Sequence, residues 1–330
     1  MKILIIGLGV IGTTYAYVLK NAEHTVEHYV RPDSVDVSTS RLTVDLLDGR
    51  KNSQGYLTHG SYDISLARKP CRYDMIIMSL SSLHLEDAVK TLNDNGFVGP
   101  VVLLCGIWED RSFIAQAMGK QEYVLGYPVA GGAIDRDKKY LDCVLFDHVM
   151  LEDRHKASTA SYDTVIKAFK SADLKVECPY DMLEWIWVHM GINAAVISTA
   201  ASVADTAIPT KAAEKLMDSV RALRKAIIAI RECLYIIKSR GVDLRHYRRE
   251  LLPYALPSWL SAVIMKQMFA KNQLTRRIML LHTNMPDLVY ICGSVYQQGK
   301  FAHTKAPLFY NNYETYLLKF ENKEVTSTIS

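Results

Sequence analysis

The hydrophobic rhythm of the chain changes near residue 179. Before that point, short apolar runs alternate with segments of helical spacing. Lys2–Ile6 reads as a strand, Val10–Leu19 as a helix and Thr25–Val30 as a second strand. Asp74–Leu80 (DMIIMSL) is a further strand, followed by the amphipathic stretch Leu85–Leu92 and the strands Val101–Cys105 and Glu122–Gly126. Apolar runs spaced by helices are what a parallel sheet covered on both faces requires. Arg41–Leu57 carries turn signals (DGR, NSQG) between strand-like pieces. Lys138–Leu151 alternates around YLDCVLF and HVML. Both read as antiparallel additions to the same sheet. Ala160–Ala172 is a helix and Leu174–Cys178 a last strand, and Pro179 marks a boundary.

Beyond Pro179 the period is helical throughout. Leu183–Ala204 is one helix. Ala212–Ser239 reads as one long amphipathic helix, with Leu216, Val220, Leu223, Ile227, Ile230, Leu234 and Ile237 on one face and Gly241 as its stop signal. Pro257–Lys271 and Asp287–Gln298 are further helices, and the polar tail NKEVTSTIS is expected to be loose. Trp185–Ala204 contains no Asp, Glu, Lys or Arg and has the length of a bilayer crossing. His189, Asn193, Ser198, Thr199 and Ser202 interrupt it and its flanks are not strongly basic, so a helix buried within a globular domain is expected. The predicted fold class is α/β, with an N-terminal dinucleotide-binding domain over residues 1–179 and an all-α domain over 180–330.

Composition narrows the function. The 330 residues are 49% hydrophobic and 22% charged, with 39 basic and 35 acidic side chains. Disordered, collagen-like and coiled-coil classes are excluded. A net charge of +4, dispersed along the chain, gives no footprint for nucleic acid or an acidic membrane surface. The six cysteines (71, 105, 143, 178, 233, 292) form no CxxC pair and no zinc spacing with histidine. No metal is expected, and the thiols suit a reducing, cytoplasmic setting. The opening MKILIIGLGVIG differs from a secretion signal, because three glycines break its apolar run and no cleavage site follows. Arg245, Arg248 and Arg249 read as a solvated basic face.

Gly7-Leu8-Gly9-Val10-Ile11-Gly12 is GxGxxG, directly after a strand and opening a helix. In this context Gly7 permits the tight turn, Gly9 the close approach of a pyrophosphate and Gly12 the packing of helix on strand. The helix N-terminus supplies unpaired N–H groups and a positive dipole end. An NAD site usually places Asp or Glu at the end of the second strand. Here Tyr29-Val30-Arg31 stands there, with Glu27 earlier in the strand. An arginine suits an adenosine 2′-phosphate, so NADP(H) is the expected cofactor. The alternative is an arginine solvated in a turn.

These residues resemble the ketopantoate reductase (2-dehydropantoate 2-reductase) family. The resemblance is carried by KILIIGLGVIGTTYAYVLKNAEHTVEHYVR, SLHLEDAVKTL, GYPVAGG, EWIWVHMGINAAV, NQLTRRIM and MPDLVYICG. It implies a Rossmann domain followed by a helical domain, with the active site in the cleft between them. It also implies NADPH-dependent reduction of a 2-oxo acid to a 2-hydroxy acid. The family places a proton-donating lysine on the first helix of the second domain, and asparagines, a serine and a glutamate orient its substrate. In the register fixed by Ile192-Asn193, the lysine position falls on Trp185 and a helical asparagine on His189. The lysine after DMIIMSL becomes Ser81. The asparagine after the next strand falls on Cys105, before Gly106. Asn272 is kept, Thr275 replaces the serine and Asp287 the glutamate.

Trp185, His189 and Asn193 are spaced i, i+4, i+8 and share one helix face. His189 is then the expected proton donor, since imidazole titrates near neutrality. Asp287 would orient it. Asn193 joins them in the expected catalytic set, Asn272 and Thr275 would hydrogen-bond the substrate, and Trp185 would narrow the pocket or stack on it. The alternatives are a core histidine, an Asp287 that serves a helix N-terminus, and tryptophans that only pack. The expected activity is an NADPH-dependent oxidoreductase acting on a small 2-oxo acid or related carbonyl, with a homodimer as a possible assembly. Two rivals stay open: an imine or non-acid carbonyl reductase, and a catalytically silent NADP(H)-binding protein.

Overall fold

Strand β1 (Lys2–Ile6) is buried at its centre and organises the first half of the chain. Helix α1 (Val10–Asn21) and strand β2 (Thr25–Tyr29) follow it. β3 (Arg41–Asp48) and β4 (Tyr56–Asp63) form a hairpin, and β5 (Cys71–Arg72) leads into β6 (Met75–Met78). Then come α2 (Leu85–Asp94), β7 (Phe97–Val98), β8 (Val101–Leu104), α3 (Arg111–Met118) and β9 (Tyr123–Tyr127). β10 (Ala130–Asp135), β11 (Tyr140–Leu145), β12 (His148–Leu151), α4 (Tyr162–Ser171) and β13 (Lys175–Glu177) complete this part. This computed structural model describes residues 1–31, 41–68, 70–80, 84–204, 208–281 and 285–327, with backbone alone for 285 and 320–327. It resolves into two compact units, Met1–Leu183 and Glu184–Ser330.

The first unit is α/β, as its alternation predicts. Its main sheet has the order β13-β12-β9-β8-β6-β1-β2. The strands from β2 to β9 are parallel, and β12 joins β9 antiparallel. From β1 the chain moves outward to β2, then returns to the other side of β1 to lay down β6. That reversal is a topological switch point, where ligands settle beyond the carboxyl ends of the strands.

The strand pieces expected to extend this sheet instead build a second one, of order β10-β11-β3-β4. β11 runs parallel to β3, with Tyr140 opposite Thr43, and the other pairs are antiparallel. The cause is α1. It contacts β1 and β2 on one side and β10 and β11 on the other, so every residue from Gly12 to Leu19 is buried. A helix covered on two sides needs a second layer, and the alternating strands provide it.

The second unit is helical. It holds α5 (Met182–Val203, beginning two residues inside the first unit), α6 (Pro209–Asp218), α7 (Val220–Ser239), α8 (Arg248–Ala255), α9 (Ser258–Lys271), α10 (Gln273–Leu281), α11 (Met285–Phe301) and α12 (Pro307–Ser327). The single long helix expected over Ala212–Ser239 is two. Ser219 is extended (φ −115°, ψ 111°), and its Oγ accepts from the Ala222 N–H at 3.2 Å, starting a new helix. Apolar periodicity running through Leu216 and Val220 conceals that break, because a cap changes the backbone and not the spacing. The polar tail expected to be loose is helical to Ser327.

α5 is the one helix, among the described residues, apolar and long enough to cross a membrane, with mean hydropathy 1.4. It packs as a core helix. Gly191 lets Ile237 of α7 approach to 2.9 Å of where a Cβ would stand. Cys292 of α11 reaches the Ala194 carbonyl at 3.7 Å, and Asn312 of α12 donates to Thr199 Oγ1 at 3.0 Å. Lys319 of α12 donates to the carbonyls of Ala201 and Ala204 at 2.6 and 2.5 Å. A cation thus meets the unpaired carbonyls and the negative dipole end of α5.

Candidate functional site

The glycine motif lies at the switch point, between β1 and α1. Gly7 has φ +88°, a left-handed conformation that a side chain would strain. Its N–H donates to the Tyr29 carbonyl at 2.8 Å, which ties the turn to the end of β2. Gly9 is exposed, extended (φ −71°, ψ 159°), and has no heavy atom within 4 Å of a would-be Cβ. Gly12 is buried, with Ile5 Cγ2 at 2.8 Å and Ser79 Oγ at 3.0 Å from such a Cβ, so no larger residue fits between helix and strand. Leu8, Val10 and Ile11 are half-buried. The N-cap residue of α1, Gly9, has no side chain with which to cap the helix. The first amides and the dipole of that helix would suit an anion, and the open backbone at Gly9 would let a pyrophosphate come close. These residues fit a dinucleotide.

Gly132 in GYPVAGG acts at a distance on the same turn. A Cβ there would clash with the Asp142 carbonyl and meet Val10 Cγ2 at 2.9 Å, so its absence lets the first helical residue seat against β10. Arg31 is exposed, two residues beyond the strand residue that holds Gly7. Ser81 lies outside the described residues. Cys105 follows β8 and is buried; its thiol donates to the Met78 carbonyl at 3.5 Å, so the sulfur turns into the sheet.

On α5, Trp185, His189 and Asn193 are each half-buried along one continuous helix. The structure brings the first two together. Their rings stack with centroids 4.9 Å apart and planes 7° from parallel, so the indole fixes the plane of the imidazole. Trp187 turns elsewhere and carries the Arg240 guanidinium 3.8 Å from its ring centre. Asn272 opens α10: its Oδ1 accepts from the Thr275 N–H at 3.0 Å. Asp287 sits half-buried in the first turn of α11, where an acid complements the helix dipole. Arg245 is bound to Asp243 through three contacts of 2.6–3.0 Å, in keeping with a solvated charged turn.

One residue of the turn's surroundings was not singled out by the motif. His28 of β2 has no exposed surface. Its Nδ1 lies 2.9 Å from the Gly7 carbonyl and its Nε2 2.7 Å from the Tyr62 hydroxyl. Burial pulls its pKa down to about 4. The signal was present in the strand, since Val26 and His28 share one face at period two and Val26 is apolar.

Residues 3–129 match the family model described as ketopantoate reductase PanE/ApbA. That match lies wholly within the first unit. No curated protein matches the chain. Among solved structures, a ketopantoate reductase of Staphylococcus aureus, described as dimeric, is 12% identical with TM-score 0.60. It covers 98% of this chain and 99% of its own. A D-mandelate dehydrogenase with NADH and anilino(oxo)acetate is 15% identical, TM-score 0.66, over 98% and 99%. A yersinopine dehydrogenase with NADP+ bound is 11% identical, TM-score 0.63, over 98% and 91%. At these identities the likeness establishes the fold: a Rossmann α/β domain followed by a helical one.

Proposed function

We propose that this protein is an NADP(H)-dependent oxidoreductase that reduces a small 2-oxo acid or related carbonyl. The carrying observation is the start of α1: uncapped, preceded by Gly7 in a left-handed conformation, and open at Gly9. Arg31 would take the adenosine 2′-phosphate by charge-assisted hydrogen bonds. The cofactor, when bound, supplies the hydride to the carbonyl carbon. The oxygen then needs a proton, and His189, its ring plane set by Trp185, would deliver it. Asp287 would orient the imidazole with Asn193 beside it, and Asn272 and Thr275 would orient the substrate. Neighbours of the same fold, one holding NADH with an oxo-acid analogue and one holding NADP+, support this chemistry.

The test is NADPH oxidation against a panel of 2-oxo acids, ketopantoate included, beside imines and simple ketones. Turnover of at least one 2-oxo acid is expected. His189→Ala should lower kcat about a hundredfold while leaving NADPH affinity nearly unchanged. Undiminished turnover in that variant removes the histidine from the mechanism.

A second possibility is a silent NADP(H)-binding protein. It is favoured by the indole of Trp185, which stands where the resembled family has its lysine and lies flat on the only imidazole of α5. It predicts tight NADPH binding with no oxidation against any member of the panel.

A further inference from the structure

We infer that His28 and Tyr62 form a two-residue relay that sets the orientation of the phosphate-binding turn, making both of them positioning residues for the dinucleotide. The inference rests on the proposed binding of a dinucleotide at Gly7–Gly12.

The argument begins with proton bookkeeping. A carbonyl oxygen only accepts, so the 2.9 Å contact to the Gly7 carbonyl places a hydrogen on Nδ1 of His28. The ring has no exposed surface and is neutral near pH 7, so Nε2 carries a lone pair. The hydroxyl of Tyr62, 2.7 Å away, therefore donates. Burial raises the Tyr62 pKa, which keeps that proton in place throughout the working range. Tyr62 thus selects the Nδ1–H tautomer, and that tautomer alone can hold Gly7.

Holding Gly7 has a directional consequence. Its N–H is bound by the Tyr29 carbonyl at 2.8 Å and its own carbonyl by the neighbouring ring, so two successive residues of β2 fix both ends of the residue. The backbone of His28 is itself pinned: its N–H donates to Ser65 at 2.7 Å, and its carbonyl accepts from Ala67 at 2.8 Å. In a trans peptide the C=O and the following N–H point opposite ways. With the Gly7 carbonyl drawn onto the buried ring, the Leu8 N–H is aimed to the other side, away from the core. That amide joins those at the start of α1 in facing an anion.

The groups around the ring keep it neutral until the pH approaches 4. Tyr62 faces it edge-on from β4, with ring centres 5.7 Å apart, and the Lys20 ammonium from α1 lies over the Tyr62 ring at 5.3 Å. Lys20 disfavours a second positive charge there. Tyr17 of α1 also meets Tyr62 edge-on, with ring centres 6.4 Å apart. Protonated His28 would present a donor at Nε2, and the Tyr62 hydroxyl would have to turn to accept it.

The test compares the full-length wild type with His28→Leu, His28→Asn and Tyr62→Phe. NADP+ affinity is read by calorimetry, and the tautomer by nitrogen-15 NMR of histidine-labelled protein. The wild type should show the Nδ1–H form at pH 7. His28→Leu should bind NADP+ about tenfold more weakly. His28→Asn, whose amide can still donate to Gly7, should stay within about threefold of wild type. Thermal midpoints without ligand control for folding, since a merely structural role would weaken both variants alike. Tyr62→Phe preserves the packed ring and folds most readily. It should lose about threefold in affinity and shift the His28 nitrogen signals. As pH approaches 4, where the folded His28 takes up a proton, wild-type affinity should drop relative to His28→Asn at each pH. The relay is overturned by an Nε2–H tautomer, by equal losses in the Leu and Asn variants, or by a Tyr62→Phe protein that binds and titrates as wild type. A wild type that binds neither NADP+ nor NAD+ refutes the proposed function instead.

Discussion

Arg31 and His189 make the most specific claims, and each can be tested alone. Arg31→Ala should weaken NADPH about tenfold and leave NADH nearly untouched, by fluorescence titration of both cofactors. Equal effects on the two would mean that the guanidinium does not contact the 2′-phosphate. Gly7 and Gly12 were legible in the sequence because each answers a steric demand, a left-handed turn and a tight helix–strand contact, that larger residues meet poorly. His28 was not, because its meaning depends on Tyr62, which arrives from another sheet. Asn272 shows the opposite limit. A polar residue suited to a substrate is equally suited to start a helix, and here its Oδ1 does the latter.

At the scale of elements, α5 is fixed less by its own sequence than by what closes around it. Gly191 admits α7, and Lys319 takes the last carbonyls. Lys319→Met should therefore cost about 1–3 kcal/mol of stability, read from urea unfolding, with no change in cofactor affinity. The strands of the main sheet were legible because buried parallel strands are uniformly apolar. The second sheet was not separable from the first, because alternation marks a one-faced strand without saying which sheet it joins. The break at Ser219 was hidden for a similar reason, since one extended residue leaves the apolar period intact.

For the whole molecule, the buried neutral His28 predicts a pH dependence of stability. Its folded pKa of about 4 lies below the ordinary 6.5, so the unfolded chain takes up the proton first. The associated stability is fully present above pH 6.5 and is lost as pH falls through 4, up to about 3 kcal/mol. Urea midpoints measured from pH 7 to 4 should fall accordingly, and His28→Asn should flatten part of the slope. An unchanged slope would place the acid sensitivity elsewhere.

The sandwiching of α1 between two sheets also has a kinetic side. The second layer depends on β11 pairing with β3, Tyr140 against Thr43, across roughly a hundred residues of chain. Contacts so distant in sequence close slowly, because the loop entropy is lost before the contact is gained. β10, which seats Val10 at the head of α1, pairs with β11 and so joins the sheet through the same strand. Competence to bind the cofactor should therefore mature late in refolding, with the slowest phase rather than with the first appearance of helix. A young chain would be largely folded yet blind to its ligand, and added NADP+ would select the finished molecules from the unfinished ones.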